Sequence, residues 1–318
     1  MTRTHGSSQP HCLRPPAPTG WGDRDRAAVV AMMRLTPTHV EWSALTQRIS
    51  DRGSAWLLWE DEHPGHLFGA HDDSAVLKQS VMEVEIWQRD APFRLHTFRD
   101  DTYPSQLRSV RQVPPVVFTH GHMVDDEPGV CVVGSRVASE EGVHFTRAVA
   151  RGLVANGMSV IAGLARGIDT AAHQAALDVG GRTIAVLGNG FDHVYPRENA
   201  GLQAEIASRG MLLTHFLPEY GPTRWSFPAR NITMSAYALA TIIAEAGEKS
   251  GTRIQAREAI AHGRPVILSS RVVQATTWGR AMQNQPGVHV VDSPQEAVEH
   301  AIRLNNDRAT LTRLLDHR

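Results

Sequence analysis

Val130-Cys131-Val132-Val133 runs into Gly134-Ser135-Arg136, and a polar helix start, Ser139-Glu140-Glu141-Gly142, follows. The same order returns twice. Met158 to Ala162 ends in Gly163-Leu164-Ala165-Arg166-Gly167-Ile168-Asp169-Thr170, and Thr183 to Leu187 ends in Gly188-Asn189-Gly190. A strand-length apolar run, a glycine turn and then a helical pattern is the grammar of a parallel α/β sheet. The turns at the carboxyl ends of such strands are where these sheets bind ligands. Repeated glycines and an Arg there suit an anion held by backbone N–H groups and helix starts. The ligand class expected is therefore phosphate-bearing.

Outward from this centre the pattern continues. Helices are expected over 143–155, closed by Gly157, over 170–179, closed by Gly180-Gly181, and over 199–208, closed by Gly210. Met211 to Phe216 reads as a fourth strand. The segment 218–228 holds Pro218, Pro222 and Pro228 and reads as a long loop. A helix from Arg230 to Ala238, a strand from Ala240 to Ala244, a helix from Ile254 to His262 and a strand from Pro265 to Leu268 follow. Downstream, 274–282 reads as one helix, 288–291 as a strand and 295–304 as a helix capped by Ser293 with Pro294 and Glu296 in its first turn; 305–318 reads as a separate short helix. Upstream, Arg94 to Phe98 and Pro114 to Gly121 read as strands.

The segment before them reads as a small helical module over 21–94. It holds an apolar stretch from Ala27 to Met33, a capping box of Thr38 with Glu41, a short helix from Ser54 to Trp59 and a longer one from Ser74 to Trp87. Trp56 and Trp59, three apart, are expected in its core. Residues 1–20 are rich in Ser, Pro, Gly and His and read as a disordered tail. The main domain is expected over 95–292 and a C-terminal helical extension over 293–318.

Composition narrows the function. Apolar content of 42% with 20% charged residues fits a soluble folded chain, and no apolar run approaches a membrane span. The N-terminus lacks the apolar core of a signal peptide, so a cytoplasmic location is expected. Cys12 and Cys131 do not suggest a disulfide. A net charge of −1 means that no bulk positive field advertises nucleic acid. Of the basic residues only Lys78 and Lys249 are Lys. The 17 His have no acidic or Cys partners at ligand spacing, so no metal and no cofactor is expected.

Gly134-Ser135-Arg136 lacks the Gly-x-Gly-x-x-Gly dinucleotide pattern, and no Walker motif is present. Ser135 and free N–H groups can hold a phosphate while Arg136 forks across two oxygens. Asp169 is placed to cap a helix and brace the N–H groups of its loop, and His173, four residues on, can pair with it. Trp225-Ser226-Phe227-Pro228-Ala229-Arg230-Asn231 puts aromatics, a cation and an amide together, as stacked bases and a phosphate require; one aromatic equally suits an anchor on the core. Phe191 and Tyr195 flank the third glycine turn in the same way.

In order and spacing these blocks resemble the DNA-processing protein A (DprA, or Smf) family. The matching stretches are Tyr103 to Leu107, Pro114-Pro115, Gly134 to Arg136, Gly163 to His173, Gly188 to Asn199, Phe227 to Asn231 and Glu245 to Thr252. The chain is also similar to the wider nucleotide-binding group that includes the cytokinin-activating phosphoribohydrolases. The resemblance implies an extended Rossmann-like three-layer sandwich that binds single-stranded DNA without chemistry, as a homodimer, protecting incoming strands and loading a RecA-type recombinase. It implies a pocket using Arg136, Phe227, Arg230 and Asn231, with Lys249, Ser250 and Gly251 on its floor. With the readings above, Gly134, Ser135, Gly163, Arg166 and Gly167 join the binding set, and Asp169, His173, Asp192 and Tyr195 support it.

Three departures stand out. Ile232 replaces the family's further Arg, which the resemblance takes as one cation fewer at the pocket. Ala236-Tyr237 replaces Leu-Ser, and Gln255-Ala256 replaces Thr-Ala. Two alternative functions follow: a free-nucleotide sensor, in phage or plasmid defence, and a phosphoribohydrolase. The second is disfavoured because the first acid after Glu248-Lys249-Ser250-Gly251-Thr252 is Glu258.

Overall fold

The alternation in Val130 to Val133 sends Val130 and Val132 to one face of the sheet and Cys131 and Val133 to the other, and all four are buried. A strand buried on both faces belongs inside a parallel sheet covered by helices. The computed structural model describes residues 21–36, 39–63 and 73–316. The tail over 1–20 and the Thr38 capping box lie outside the described residues.

Four helices come first: α1 (Asp23–Leu35), α2 (His39–Arg52), α3 (Ala55–Glu62) and α4 (Ser74–Asp90). Then follow β1 (Phe93–Thr97), α5 (Ser105–Arg108), β2 (Val116–Gly121), β3 (Gly129–Gly134), α6 (Glu140–Ala155) and β4 (Ser159–Ala162). Next are α7 (Ile168–Asp178), β5 (Thr183–Val186), α8 (Ala200–Arg209), β6 (Met211–Thr214), α9 (Ser226–Tyr237) and β7 (Ala240–Glu245). The chain continues through α10 (Thr252–Ala261), β8 (Val266–Ser269), α11 (Ser270–Ala275), α12 (Thr277–Met282), β9 (Val288–Val291) and α13 (Pro294–Asp316).

One nine-stranded sheet has the order β1-β2-β6-β5-β4-β3-β7-β8-β9. From β6 to β9 every pairing is parallel, while β2 joins β6 and β1 joins β2 antiparallel. The chain winds from β3 outward to β6, then returns to β7 on the other side of β3. The switch point between β3 and β7 is where ligands seat in open sheets. Helices α6, α7 and α13 cover one face, packing Phe145, Val149, Ala172, Ala176 and Val298 on Val130, Val132 and Val160. On the other face, α9, α10 and the N-terminal helices share one core with Cys131, Val133, Ile161 and Ile184. The architecture is a three-layer, Rossmann-like α/β sandwich.

Several local expectations are corrected. Helix α9 begins at Ser226, so Phe227 and Pro228 lie in its first turn; a Pro there forfeits no intrahelical bond. The single helix expected over 274–282 is two, because Thr276 is extended and its Oγ1 accepts from Gly279 N at 2.9 Å as the cap of α12. The separate last helix does not exist, since α13 runs unbroken to Asp316. Trp59 is buried, whereas Trp56 is half-buried beneath the Arg24 guanidinium, 5.4 Å from its ring. Among the described residues no helix is long and apolar enough to cross a membrane, and no group of His, Cys, Asp or Glu is placed to hold a metal.

His96, on β1, is buried, with Nδ1 2.8 Å from Thr102 Oγ1 and Nε2 2.9 Å from Thr119 Oγ1. Burial lowers its pKa to about 4, against the pull of Asp100. The unfolded chain therefore binds the proton first as pH falls. Stability is complete above about pH 6.5 and declines toward about pH 4, by about 3 kcal/mol from this one group. Melting between about pH 7 and pH 4.5 should be less pH-steep in His96→Gln than in the wild type, and equal slopes would rule this cause out.

Candidate functional site

A cavity of about 840 Å³ opens at the carboxyl ends of β3 and β7, at the switch point. The turn after β3 brings Gly134, Ser135 and Arg136, the first turns of α9 bring Phe227, Arg230 and Asn231, and the turn after β7 brings Lys249, Ser250 and Gly251. A second cavity of about 790 Å³ lies alongside, where Gly163, Arg166 and Asp192 line it. Arg136, Tyr195, Phe227 and Arg230 line both.

The shared wall is aromatic and cationic. The Arg136 guanidinium lies 5.3 Å from the centre of the Phe227 ring, and the Tyr195 ring is 5.3 Å from it on a tilt of 39°. Such a stack holds an Arg side chain in place while its charge stays in solvent. Gly188 is required beneath it, since a Cβ there would meet Phe227 Cδ1 at 2.8 Å. Arg136, Arg224 and Lys249 are all exposed around the larger cavity.

The acids of the β7 turn point elsewhere. Glu245 accepts from Ser139 N at 3.1 Å and from the Ser139 hydroxyl, at the start of α6. Glu248 accepts from Thr277 N at 2.7 Å and from its hydroxyl, at the start of α12, and these bonds hold its carboxyl below the usual range. Each carboxylate thus satisfies a helix N-terminus. Asp169 is the one acid lining the larger cavity, and it is buried. The field facing a ligand is therefore positive although the chain's net charge is −1.

Beneath the cations lies a buried frame. Asp169 Oδ2 accepts from Gly163 N at 2.9 Å and from Ala165 N at 3.4 Å, so it braces the turn after β4. Burial raises its carboxyl pKa, against the pull of Arg230 and the two N–H groups. Arg230 is itself only 4% exposed. Its Nη1 donates to Gly163 O and, at 2.7 Å, to Val186 O, and its Nε donates to Asn231 Oδ1 at 2.9 Å. It ties α9 to the ends of β4 and β5, and Gly163 has no room for a Cβ against its guanidinium.

Other expected residues sit differently. Ser135 offers no free group, because its N–H donates to Glu245 O at 2.8 Å, its hydroxyl donates to Val137 O at 2.7 Å, and its carbonyl accepts from Ile168 N at 3.1 Å. Gly167 lines neither cavity; at φ 73° it lets the β4 turn pass against the Ser135 carbonyl. Arg166 is paired with Glu198, Nη2 to Oε2 at 2.6 Å. His173 does not pair with Asp169: its Nδ1 meets Thr183 Oγ1 at 2.7 Å, and burial lowers its pKa to about 3, so it is neutral. Ile232 lines a small cavity against Trp42 and Pro114 and does not line the main one. Among the lining residues that the sequence reading missed are Arg224 and Gln255. Arg224 lies 4.6 Å over the exposed Trp225 ring, and an Arg-Trp pair ahead of the Phe227 block was the available signal.

A doubly wound sheet with a cationic, aromatic-walled cavity at its switch point defines a protein of the Rossmann-like α/β class. Residues 94–301 match the family model described as DNA recombination-mediator protein A. The DprA protein of Streptococcus pneumoniae is 37% identical over 201 residues, covering 63% of this chain and 71% of that protein. Protein Smf of Synechocystis is 39% identical over 173 residues, 53% of this chain and 44% of that protein, so the match spans less than half of that relative. Among solved structures, DprA from S. pneumoniae aligns with a TM-score of 0.66 at 27% identity, covering 88% of this chain and 98% of that one. DprA from Helicobacter pylori shares the fold with a TM-score of 0.60 at 23% identity, over 66% and 96%. The chain belongs to the DNA recombination-mediator protein A family.

Proposed function

We propose that this protein binds single-stranded DNA and acts on it by holding it, without bond chemistry. The observation that carries the reading is the paired cavities: cations on the rim, an aromatic wall shared between them, and no acid facing the larger one except the buried Asp169. A strand needs phosphate contacts and ring faces side by side, and both cavities offer them around Arg136 and Phe227. Asp169, the acid that lines the larger cavity, is buried and accepts from the N–H groups of Gly163 and Ala165, which supports holding over base release. The relatives named DprA support a role in DNA processing, and the H. pylori protein is described by its single-stranded DNA binding mode. In the finer reading the protein is a cytoplasmic homodimer that protects incoming DNA in transformation and passes it to a RecA-type recombinase.

The test is a titration with a mononucleotide and with oligonucleotides of increasing length. Affinity should climb with length, and its log–log salt slope should steepen as phosphates are added. Saturation by one nucleotide would replace the strand with a free-nucleotide ligand. Steady release of base from a nucleotide would restore the hydrolase reading.

A further inference from the structure

Gln255 sits in the first turns of α10 and lines the larger cavity, yet it is only 1% exposed. Its Nε2 is buried without a hydrogen-bond partner. An amide N–H group left unpaired in a protein interior costs stability, and fold alone gives no return for it. Nearby on the cavity lining, Asn231 gives its Oδ1 to Arg230 Nε, and its Nδ2 has no bond among the described residues. Two amide donors therefore belong to the lining of a cavity whose exposed cations are Arg136, Arg224 and Lys249.

We propose that Gln255 reads the base edge of a bound strand, with Asn231 beside it, and favours bases rich in carbonyl acceptors, thymine above cytosine. The inference rests on the strand-binding reading above. Within a DNA strand the sugar hydroxyls are esterified, and with the phosphates drawn to the exposed cations the acceptors assigned to these donors are those of the bases. Thymine offers two carbonyls, whereas cytosine puts an amino donor in place of one of them.

The experiment compares oligo-dT, oligo-dU and oligo-dC of one length at one salt concentration, with oligo-rU as a fourth ligand. The wild type should bind dT and dU alike and about fivefold to tenfold more tightly than dC, and Gln255→Leu should narrow that gap to about twofold or less while keeping overall salt-dependent binding. Melting should be unchanged or higher in Gln255→Leu, because the change removes an unpaired buried donor; a structural Gln would give lower melting instead. Gln255→Glu exchanges donor for acceptor and should shift preference toward dC. Equal binding of dT and dC by the wild type, with length dependence intact, overturns the base-reading role and leaves the strand reading standing. A clear preference for rU over dU overturns it in favour of a sugar contact. Loss of binding to every oligonucleotide is the failure of the strand reading itself.

Discussion

Replacing Arg230 with Ala should cost about 3–5 kcal/mol of folding stability, far more than removing an exposed Arg. The guanidinium is almost wholly buried and donates to Gly163 O, Val186 O and Asn231 Oδ1. Its loss leaves two strand-end carbonyls and the buried Asp169 carboxylate without their cation. Burial lowers the Arg230 pKa, and the charge of Asp169 pulls it back. Urea unfolding of Arg230→Ala, Asp169→Asn and the double variant measures this. The double variant should recover part of the single loss, since no uncompensated charge remains. Additive losses would mean that the two groups act independently. Arg230→Ala is thus a fold variant, and weakened DNA binding in it would say nothing about phosphate contact.

Arg136 gives the opposite result. It is exposed and its guanidinium stacks on the Phe227 ring, so Arg136→Ala should leave melting unchanged. Single-stranded DNA affinity should fall by roughly tenfold or more, with the salt slope reduced by about 1 as one phosphate contact disappears. Lys at this position should restore only part of the affinity, because an ammonium has neither the planar fork nor the stack on Phe227. Phe227→Ala should cost about 1–3 kcal/mol of binding if a base stacks there. It should also lower melting, because the ring packs over Gly188 and against Tyr195. Unchanged DNA affinity in Arg136→Ala, with the fold intact, would sink the strand-binding reading.

Much of this architecture is legible in the sequence because its strands are buried on both faces and its turns are punctuated by glycine. Val130 to Val133 followed by Gly134 leaves little choice of element. Helix limits were less legible where the usual punctuation misleads. Pro228 signals a loop, yet in a first turn it breaks no bond. Asn305-Asn306-Asp307 weakens a helix without ending it, and α13 passes through. Thr276 ends a helix and starts the next through its own side chain, which no glycine announces. At the site, residue types were readable and directions were not. Arg136 and Arg230 look alike in a string of letters, but one lies in solvent and the other spans two strand ends. Ile232, one residue past Asn231, turns to a different cavity on the far side of its helix. Charge balance concealed the positive field, because only the folded chain shows that Glu245 and Glu248 are tied to helix starts.

The opening of α9 serves both kinds of Arg within one turn: Phe227 carries the stacked Arg136 at the groove while Arg230, three residues on, bolts the helix to β4 and β5. Whatever frays this helix start disturbs grip and frame together. On the proposed function, a strand seated against Phe227 acts in return as a clamp, raising the free energy of local opening at α9 by its own binding energy. On the same reading, slackening of this helix and release of the strand are therefore coupled.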